Sequence, residues 1–280
     1  MRPKFFIVFI SPSGSTRLIA DLFREQLTNA DADVAFLNLS DQSLIPDCIE
    51  QMTGAEDVCL LLGSPVYRDM AVPPVMNFIA ELPSMKNAWA VPFVTWGHAC
   101  SGIALWQMGL ALEAKGFRIA GAAKVGAVHS MLRNMDHPVG EGHPDREEQK
   151  IVTRLIETLV ARFDATGMKN LDLSLLDYQD PEVAAASKAR MEKPWMIVPK
   201  KIDTNACTQC GLCVDECPIA AIDLNPYPEY LASCFDCFNC VLSCPEEAIR
   251  PAKSMEEIQG SINKRVNSIQ EQPLTQIFLG

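Results

Sequence analysis

The chain has 280 residues, 11 cysteines and a formal net charge of −11. With 48% of its residues hydrophobic it can bury a sizeable core, which excludes global disorder. The acidic balance argues against general nucleic-acid binding, which needs basic surface against phosphate. The longest apolar runs, 5–10 and 88–96, fall well short of the roughly 18 residues a membrane span requires. The start, Met1-Arg2-Pro3-Lys4 and then an apolar run, faintly imitates a signal peptide. The run is too short and lacks a small-residue cleavage site, so it is expected to be a buried first strand of a cytoplasmic protein.

Along the chain, short apolar runs alternate with helix-period segments. Residues 4–10 are expected to form a strand buried on both faces, as in a parallel sheet. Residues 16–28 follow as a helix, with Leu18, Ile19, Leu22, Phe23 and Leu27 on one side. Strands are expected over 33–37 and 58–63, then a helix lined by Val75, Phe78, Ile79 and Leu82. A strand over 91–97, a helix over 102–115, a strand within 117–128 and a helix over 145–163 complete the pattern. This βαβα rhythm predicts an α/β doubly wound parallel sheet with helices on both sides.

The rhythm stops after residue 165. Residues 166–200 are expected to be a structured connector, with Asp180-Pro181 opening an Ala-rich helix to about residue 191. A cysteine-rich unit spans 201–252. The tail, 253–280, places Met255, Ile258, Ile262, Val266 and Ile269 at helical spacing, the pattern of a docking helix with an apolar packing face.

Eight of the 11 cysteines lie in two runs of one form. Cys207-Thr-Gln-Cys210-Gly-Leu-Cys213-Val-Asp-Glu-Cys217-Pro218 reads C-x2-C-x2-C-x3-C-P. Cys234-Phe-Asp-Cys237-Phe-Asn-Cys240-Val-Leu-Ser-Cys244-Pro245 repeats it position for position. Each run suits a [4Fe–4S] cubane, whose irons each need one thiolate. Three closely spaced cysteines wrap three corners, and in this motif the fourth serves the other cluster. The expected sets are therefore Cys207, Cys210, Cys213 and Cys244 for cluster I, and Cys234, Cys237, Cys240 and Cys217 for cluster II. Zinc is less favoured, because its sites more often use separated C-x2-C pairs. Disulfides suit a reducing compartment least. The runs resemble those of bacterial two-cluster ferredoxins over about 50 residues. The remaining cysteines, Cys48, Cys59 and Cys100, are expected to be packing residues, with Cys100 near a candidate cofactor loop.

The first strand runs into Ser11-Pro12-Ser13-Gly14-Ser15-Thr16, four hydroxyls and a glycine directly before a helix. Such a loop can hold a phosphate on backbone N–H groups and hydroxyls. It is neither a Walker loop nor a dinucleotide-binding Gly-x-Gly-x-x-Gly loop. The third strand leads into Gly63-Ser64-Pro65-Val66-Tyr67 and the fourth into Thr95-Trp96-Gly97-His98. In a flavodoxin-like sheet of order 2-1-3-4-5 these loops would meet at the carboxyl edge, where FMN binds. With these motifs, the segment 1–165 resembles the flavodoxin-like domain of bacterial flavodoxin–ferredoxin fusion proteins, the "ferrodoxin" family. The order of flavodoxin-like unit, connector and two-cluster ferredoxin covers nearly the whole chain.

That resemblance implies that Ser11, Ser13, Gly14, Ser15 and Thr16 hold the FMN phosphate. It implies that Ser64, Pro65, Val66 and Tyr67, with Thr95, Trp96, Gly97 and His98, border the ring, and that Tyr67 or Trp96 stacks on it. Trp96-Gly97-His98 departs from the family's Tyr-Gly-Asn, and His143 stands in Gly142-His143-Pro144 where the family has arginine. His143 reads as a loop histidine and Asp145 as a helix N-cap.

The function implied is an iron–sulfur flavoprotein that passes electrons between two [4Fe–4S] clusters and FMN, linking one-electron and two-electron carriers. Two alternatives stand beside it. One is an FMN-dependent reductase of a small molecule, fed by the clusters. The other is a ferredoxin-type module whose flavodoxin-like half lacks FMN and serves as a docking scaffold. The expected partner is a redox protein or a small-molecule acceptor. Residues 201–250 carry two basic residues against eight acidic ones, which suits a basic partner. A homodimer is one arrangement that would set one subunit's cluster beside the other's flavin.

Overall fold

The computed structural model describes residues 2–165, 167–195 and 198–280. Met1 of the leader-like start and residues 166, 196 and 197 of the expected connector lie outside the described residues. In chain order the first part comprises β1 (Lys4–Phe9), α1 (Ser15–Asn29), β2 (Val34–Asn38), α2 (Ile45–Gly54), β3 (Val58–Tyr67), β4 (Met70–Ala71) and α3 (Pro73–Glu81). It continues with β5 (Ala88–Trp96), α4 (Ala104–Ala114), β6 (Phe117–Ile119), β7 (Gly121–Gly126) and α5 (Arg146–Asp164). Then follow α6 (Pro181–Met191), β8 (Lys200–Ile202), α7 (Leu212–Asp215), β9 (Ile222–Leu224) and β10 (Pro228–Tyr230). The last elements are α8 (Asn239–Leu242), β11 (Ile249–Pro251), α9 (Met255–Ile269) and β12 (Gln276–Leu279).

The five main strands run parallel in the order β2-β1-β3-β5-β7. This is the flavodoxin-like order 2-1-3-4-5 expected from the alternation of strands and helices. Strand β1 is buried on both sides. Phe6, Val8 and Ile10 face one core, while Phe5, Ile7 and Phe9 face the other. Helices α2, α3 and α4 pack on the first face through Met52, Phe78 and Met108. Helices α1 and α5 cover the second through Phe23 and Leu159. A buried aromatic or leucine of this kind contributes about 1.5–3 kcal/mol, so the central strands anchor the unit.

Two elements were not among the sequence expectations. Helix α2 starts at Ile45 with Pro46 in its first turn and buries Cys48 and Met52. Strand β12, from the end of the chain, adds antiparallel to β7 and covers an otherwise open edge. It is preceded by a buried polar network. Lys124 Nζ of β7, 1% exposed, lies 2.7 Å from Glu271 Oε1. Glu271 also accepts from the Ser101 N–H at 2.8 Å and from Gln179 Nε2 at 2.9 Å. Trp96 Nε1 donates to the Leu274 carbonyl and the Gly126 N–H to Thr275 Oγ1. The tail is thereby bonded to three parts of the sheet unit.

The helix caps follow from local chemistry. Asp145 and Glu148 form a reciprocal capping box at α5, and Ser254 and Glu257 do the same at α9, each satisfying free N–H donors. Asp180 caps α6 from its side chain.

Removing one partner of a buried ion pair strands the other charge, at a cost of about 3–5 kcal/mol. Glu271→Gln is therefore expected to lower the urea-unfolding free energy by about that amount. Burial alone would raise the Glu271 carboxyl, but Lys124 and its hydrogen bonds outweigh it and hold the group below its usual range. The stabilisation is thus present above the unfolded value of about 4.3 and is lost as pH falls through the lower folded value. The difference between wild type and Glu271→Gln should persist at pH 5 and shrink only in stronger acid.

Candidate functional site

A duplicated backbone builds the cysteine unit. Gln209, Gly211 and Ala220 have positive φ, and so do Asp236, Phe238 and Glu247 at the equivalent positions of the second copy. These left-handed turns wrap each run around a centre. The Ala221 N–H donates to Cys217 Sγ at 3.1 Å, and its counterpart, the Ala248 N–H, to Cys244 Sγ at 3.3 Å. Strand β8 pairs with β11 and β9 with β10, so the two halves interlock.

The cysteines gather in two groups. Cys207, Cys210, Cys213 and Cys244 line one small cavity. Burial raises the Cys213 thiol; neighbouring N–H groups oppose this, and Cys210 and Cys207 add to it. Burial likewise pushes Cys237 up to about 12, opposed by the Asn239 N–H and reinforced by Cys240, Cys217 and Cys234. Cys234 and Cys240 are raised by burial and also feel Cys217. Cys244 thus lies with the first three cysteines of the first run, and Cys234, Cys237 and Cys240 each feel the charge of Cys217. Among the described residues, the group whose potential ligand atoms all fall within 4.8 Å of one another is His143, Asp145 and Glu148.

The two runs differ in burial. Cys210 is exposed, as are Thr208 and Gln209. Residues 235–240 are all buried. Phe235, the counterpart of Thr208, stacks on Tyr67 with centroids 5.9 Å apart and planes 23° apart. Asn239 Nδ2 donates to the Pro12 carbonyl at 3.1 Å, tying the second run to the loop before α1. Asp236 accepts from the Lys200 ammonium and the Val198 N–H, and Lys200 is itself buried at 1% exposure.

A cavity of about 550 Å³ lies at the carboxyl edge of the sheet, within the span of about 300–1,000 Å³ typical of small-molecule sites. Ser13 and Ser15 of the hydroxyl-rich loop line it, and so do Pro65, Val66, Tyr67, Thr95, Trp96 and Gly97. The other expected residues serve around it. Ser11 Oγ accepts from the Arg17 N–H. Gly14 takes φ +89 as the N-cap of α1, a backbone that suits glycine. Buried Thr16 bonds Thr95 through hydroxyls 2.8 Å apart. Ser64 Oγ accepts from the Val72 N–H and donates to the Pro65 carbonyl. His98 turns away from the cavity toward His143, with ring centroids 4.8 Å apart.

The remaining walls were not foreseen from sequence. They come from Phe235 and Asp236, from residues 127–131, and from Ile258, Ser261 and Ile262 of α9. Asp69, in the loop after Tyr67, accepts from Arg190 and Arg265, each at 2.5 Å, and so holds α6 and α9 at this mouth. One signal was available in the repeat: Thr208, Gln209 and Gly211 are matched by Phe235, Asp236 and Phe238. An apolar change on one copy of a symmetric motif marks the copy that is covered.

Known proteins are similar to the two parts of the chain separately. Residues 200–223 match the family described as "4Fe-4S binding domain", which gives the chain an iron–sulfur, electron-transfer region. A 25-residue stretch is 64% identical to a "Probable ferredoxin" of Methanosarcina thermophila, covering 9% of this chain and 43% of that protein. The chain thus spans less than half of that curated relative. Among solved structures, rubredoxin oxygen:oxidoreductase of Desulfovibrio gigas is similar over 59% of this chain and 37% of its own, at 17% identity and a TM-score of 0.47. An archaeal flavodoxin is similar over 57% of this chain and 99% of its own, at 17% identity and a TM-score of 0.43. No helix among the described residues is long and apolar enough to cross a membrane.

Double substitutions test the ligand sets. Cys217→Ser with Cys237→Ser is expected to leave about half the iron, as either single change does, because both remove one cluster. Cys217→Ser with Cys210→Ser should remove nearly all of it. Iron and sulfide quantification after anaerobic reconstitution reads the difference, and ligand sets confined to one run each would reverse it.

Proposed function

We propose that this chain is an iron–sulfur flavoprotein in which two [4Fe–4S] clusters and an FMN exchange electrons within one molecule. The observation that carries this reading is the shared cavity. Phe235 and Asp236, between two cysteines of the second run, wall the same space as Ser13 and Ser15 of the hydroxyl-rich loop. The residues fit FMN on chemical grounds. The N-terminus of a 15-residue helix, capped by Gly14 and with the Arg17 N–H taken by Ser11 Oγ, offers its remaining first-turn N–H groups to a phosphate. Beyond it, Val66, Tyr67 and Trp96 form an apolar slot suited to a flat ring. Bound there, FMN would link one-electron and two-electron chemistry.

The chain's own residues give the route a direction in space. Cys210 is exposed while Cys237 is buried in the core of the sheet unit. The first cluster is thus the outer station, open to a partner, and the second is the inner one beside the cavity. Asp215, Glu216, Glu246 and Glu247 are exposed in this unit, so a redox partner with a basic face is favoured. Hydrogen bonds from Ala221, Ala248 and Tyr230 to cysteine sulfurs are among the means by which a protein sets cluster potential. The domain limits proposed are a flavodoxin-like unit to residue 165, a connector to 200, a ferredoxin-like unit to 252, and a tail that caps the cavity with α9.

Protein purified without oxygen is expected to be brown, to contain eight irons on the reading of two cubanes, and to release FMN on denaturation. Ser13→Glu and Gly14→Asp should abolish flavin retention, by placing a carboxylate where phosphate sits, and should leave iron unchanged. Iron without flavin in the wild-type protein would favour the docking-scaffold reading. With both cofactors present, flavin reduction by reduced clusters should be independent of protein concentration, which a partner-mediated route would not reproduce.

A further inference from the structure

Beneath the cavity wall lies a row of imidazoles that the electron route does not use. His129 lines the cavity, with its ring against Gly97, the residue before His98, and the His143 ring lies 4.8 Å from that of His98, inclined at 61°. His143 is 28% exposed, and its Nδ1 lies 2.6 Å from Glu148 Oε2. The far oxygen of Glu148 accepts from Thr275 Oγ1 at 2.8 Å. The row therefore runs from the cavity to the surface and is anchored at its outer end.

Several features of the row lack a packing explanation. His98 Nε2 and His129 Nδ1 are both buried without a hydrogen-bond partner, although an unmet buried polar group costs about 1–3 kcal/mol. His98 holds φ +60, a left-handed backbone that histidine, asparagine and aspartate adopt more readily than other side chains. Two glycines keep the row open. A Cβ at Gly126 would fall 2.9 Å from His98 Nε2 and 3.0 Å from Glu148 Oε1, and a Cβ at Gly97 would fall 2.7 Å from the His129 ring.

We propose that His143, His98 and His129 form a proton relay between solvent at the Glu148 end and the cavity, serving the cofactor that receives electrons there. This rests on the flavin reading of the cavity. In each hop one ring nitrogen gains a proton, forming an N–H bond, as the opposite nitrogen of the same ring releases one to its neighbour. A solvent water supplies the first proton and is left as hydroxide, neutralised by buffer. For two electrons arriving singly from the clusters, one proton leaves His129 for the cavity, so the net charge delivered there is one negative unit instead of two. His129 regains its proton through His98.

The surroundings suit neutral relay groups. Burial lowers His129 to about 4, and His98 adds to this. Burial also lowers His98, with His143 reinforcing and Glu148 opposing. The charged and titratable groups facing His98 are thus His129, His143 and Glu148, and at neutral pH an uncharged imidazole can both give and accept a proton.

Two measurements test the relay, one of them without flavin. His98→Asn suits the left-handed backbone while removing the central imidazole. In the full-length chain freed of flavin, ring-proton NMR should find His129 titrating near 4 and moving upward in His98→Asn. An unmoved His129 would break the link between the two rings and overturn the proposal. In flavin-loaded protein, His98→Asn should retain flavin and slow proton-linked flavin reduction by about 10²-fold, the lower end for general acid–base groups. Added imidazole should restore the rate. An unchanged rate, or a slow rate that imidazole and lower pH leave untouched, overturns the relay. His143→Gln, at the outer end, should produce a milder form of the same defect. Absence of flavin from the wild-type chain would overturn the function proposed for the cavity, and the NMR result would still report separately on the row.

Discussion

Seating the second cysteine loop on the carboxyl edge of the parallel sheet is the contact on which the site depends. The Phe235 ring stacks on Tyr67, and Asn239 reaches the Pro12 carbonyl, so the loop touches the segment after β3 and the loop before α1 together. Cluster-binding loops are rich in left-handed turns, here at Asp236 and Phe238, and have little core of their own. The loop is held by Phe235 and Cys237 packing into the core of the sheet unit and by the buried Lys200–Asp236 pair. If that seat were lost, the cavity would lose a wall and the inner cysteines would open to water.

The tail makes this seat durable. Lys124 could not sit at 1% exposure in β7 without the Glu271 carboxylate, because a buried unpaired ammonium is strongly disfavoured. Pairing them draws residues 271–279 onto the sheet, where β12 covers the β7 edge. It also fixes the end of α9, whose Ile258 packs with Leu132 and Phe238. Asp69 receives Arg190 and Arg265 together, so connector, lid helix and ring loop share one anion. The fold is thus a sheet whose functional edge is covered by everything that follows it in the chain.

Burial also separates the roles of two nearly identical loops. Matching backbone turns in the two copies give equal ligand geometry, but one loop keeps water on Cys210 and the other does not. Lower dielectric and fewer water contacts alter how a cluster's charge is stabilised. The two loops thereby give their cysteines different access to water.

Much of this was legible in the residues because the forces are local. Thiolate spacing must match a cluster whatever surrounds it, so an iron–sulfur region could be read from the cysteine runs alone. Apolar strands buried on both faces, alternating with one-sided helices, imply a parallel α/β sheet with both faces covered. Asp145 and Asp180 announced their helices because a cap acts within its own first turn. Other features depended on contacts between segments far apart. The short strand at 276–279 carries no periodic signal and forms only against β7. The inward turn of His98, the pairing of Lys124 with Glu271, and the choice of which cysteine run is covered were decided by tertiary packing. Burial sets the charge, access and partners of a side chain, and burial is a property of the whole chain's arrangement, not of a motif.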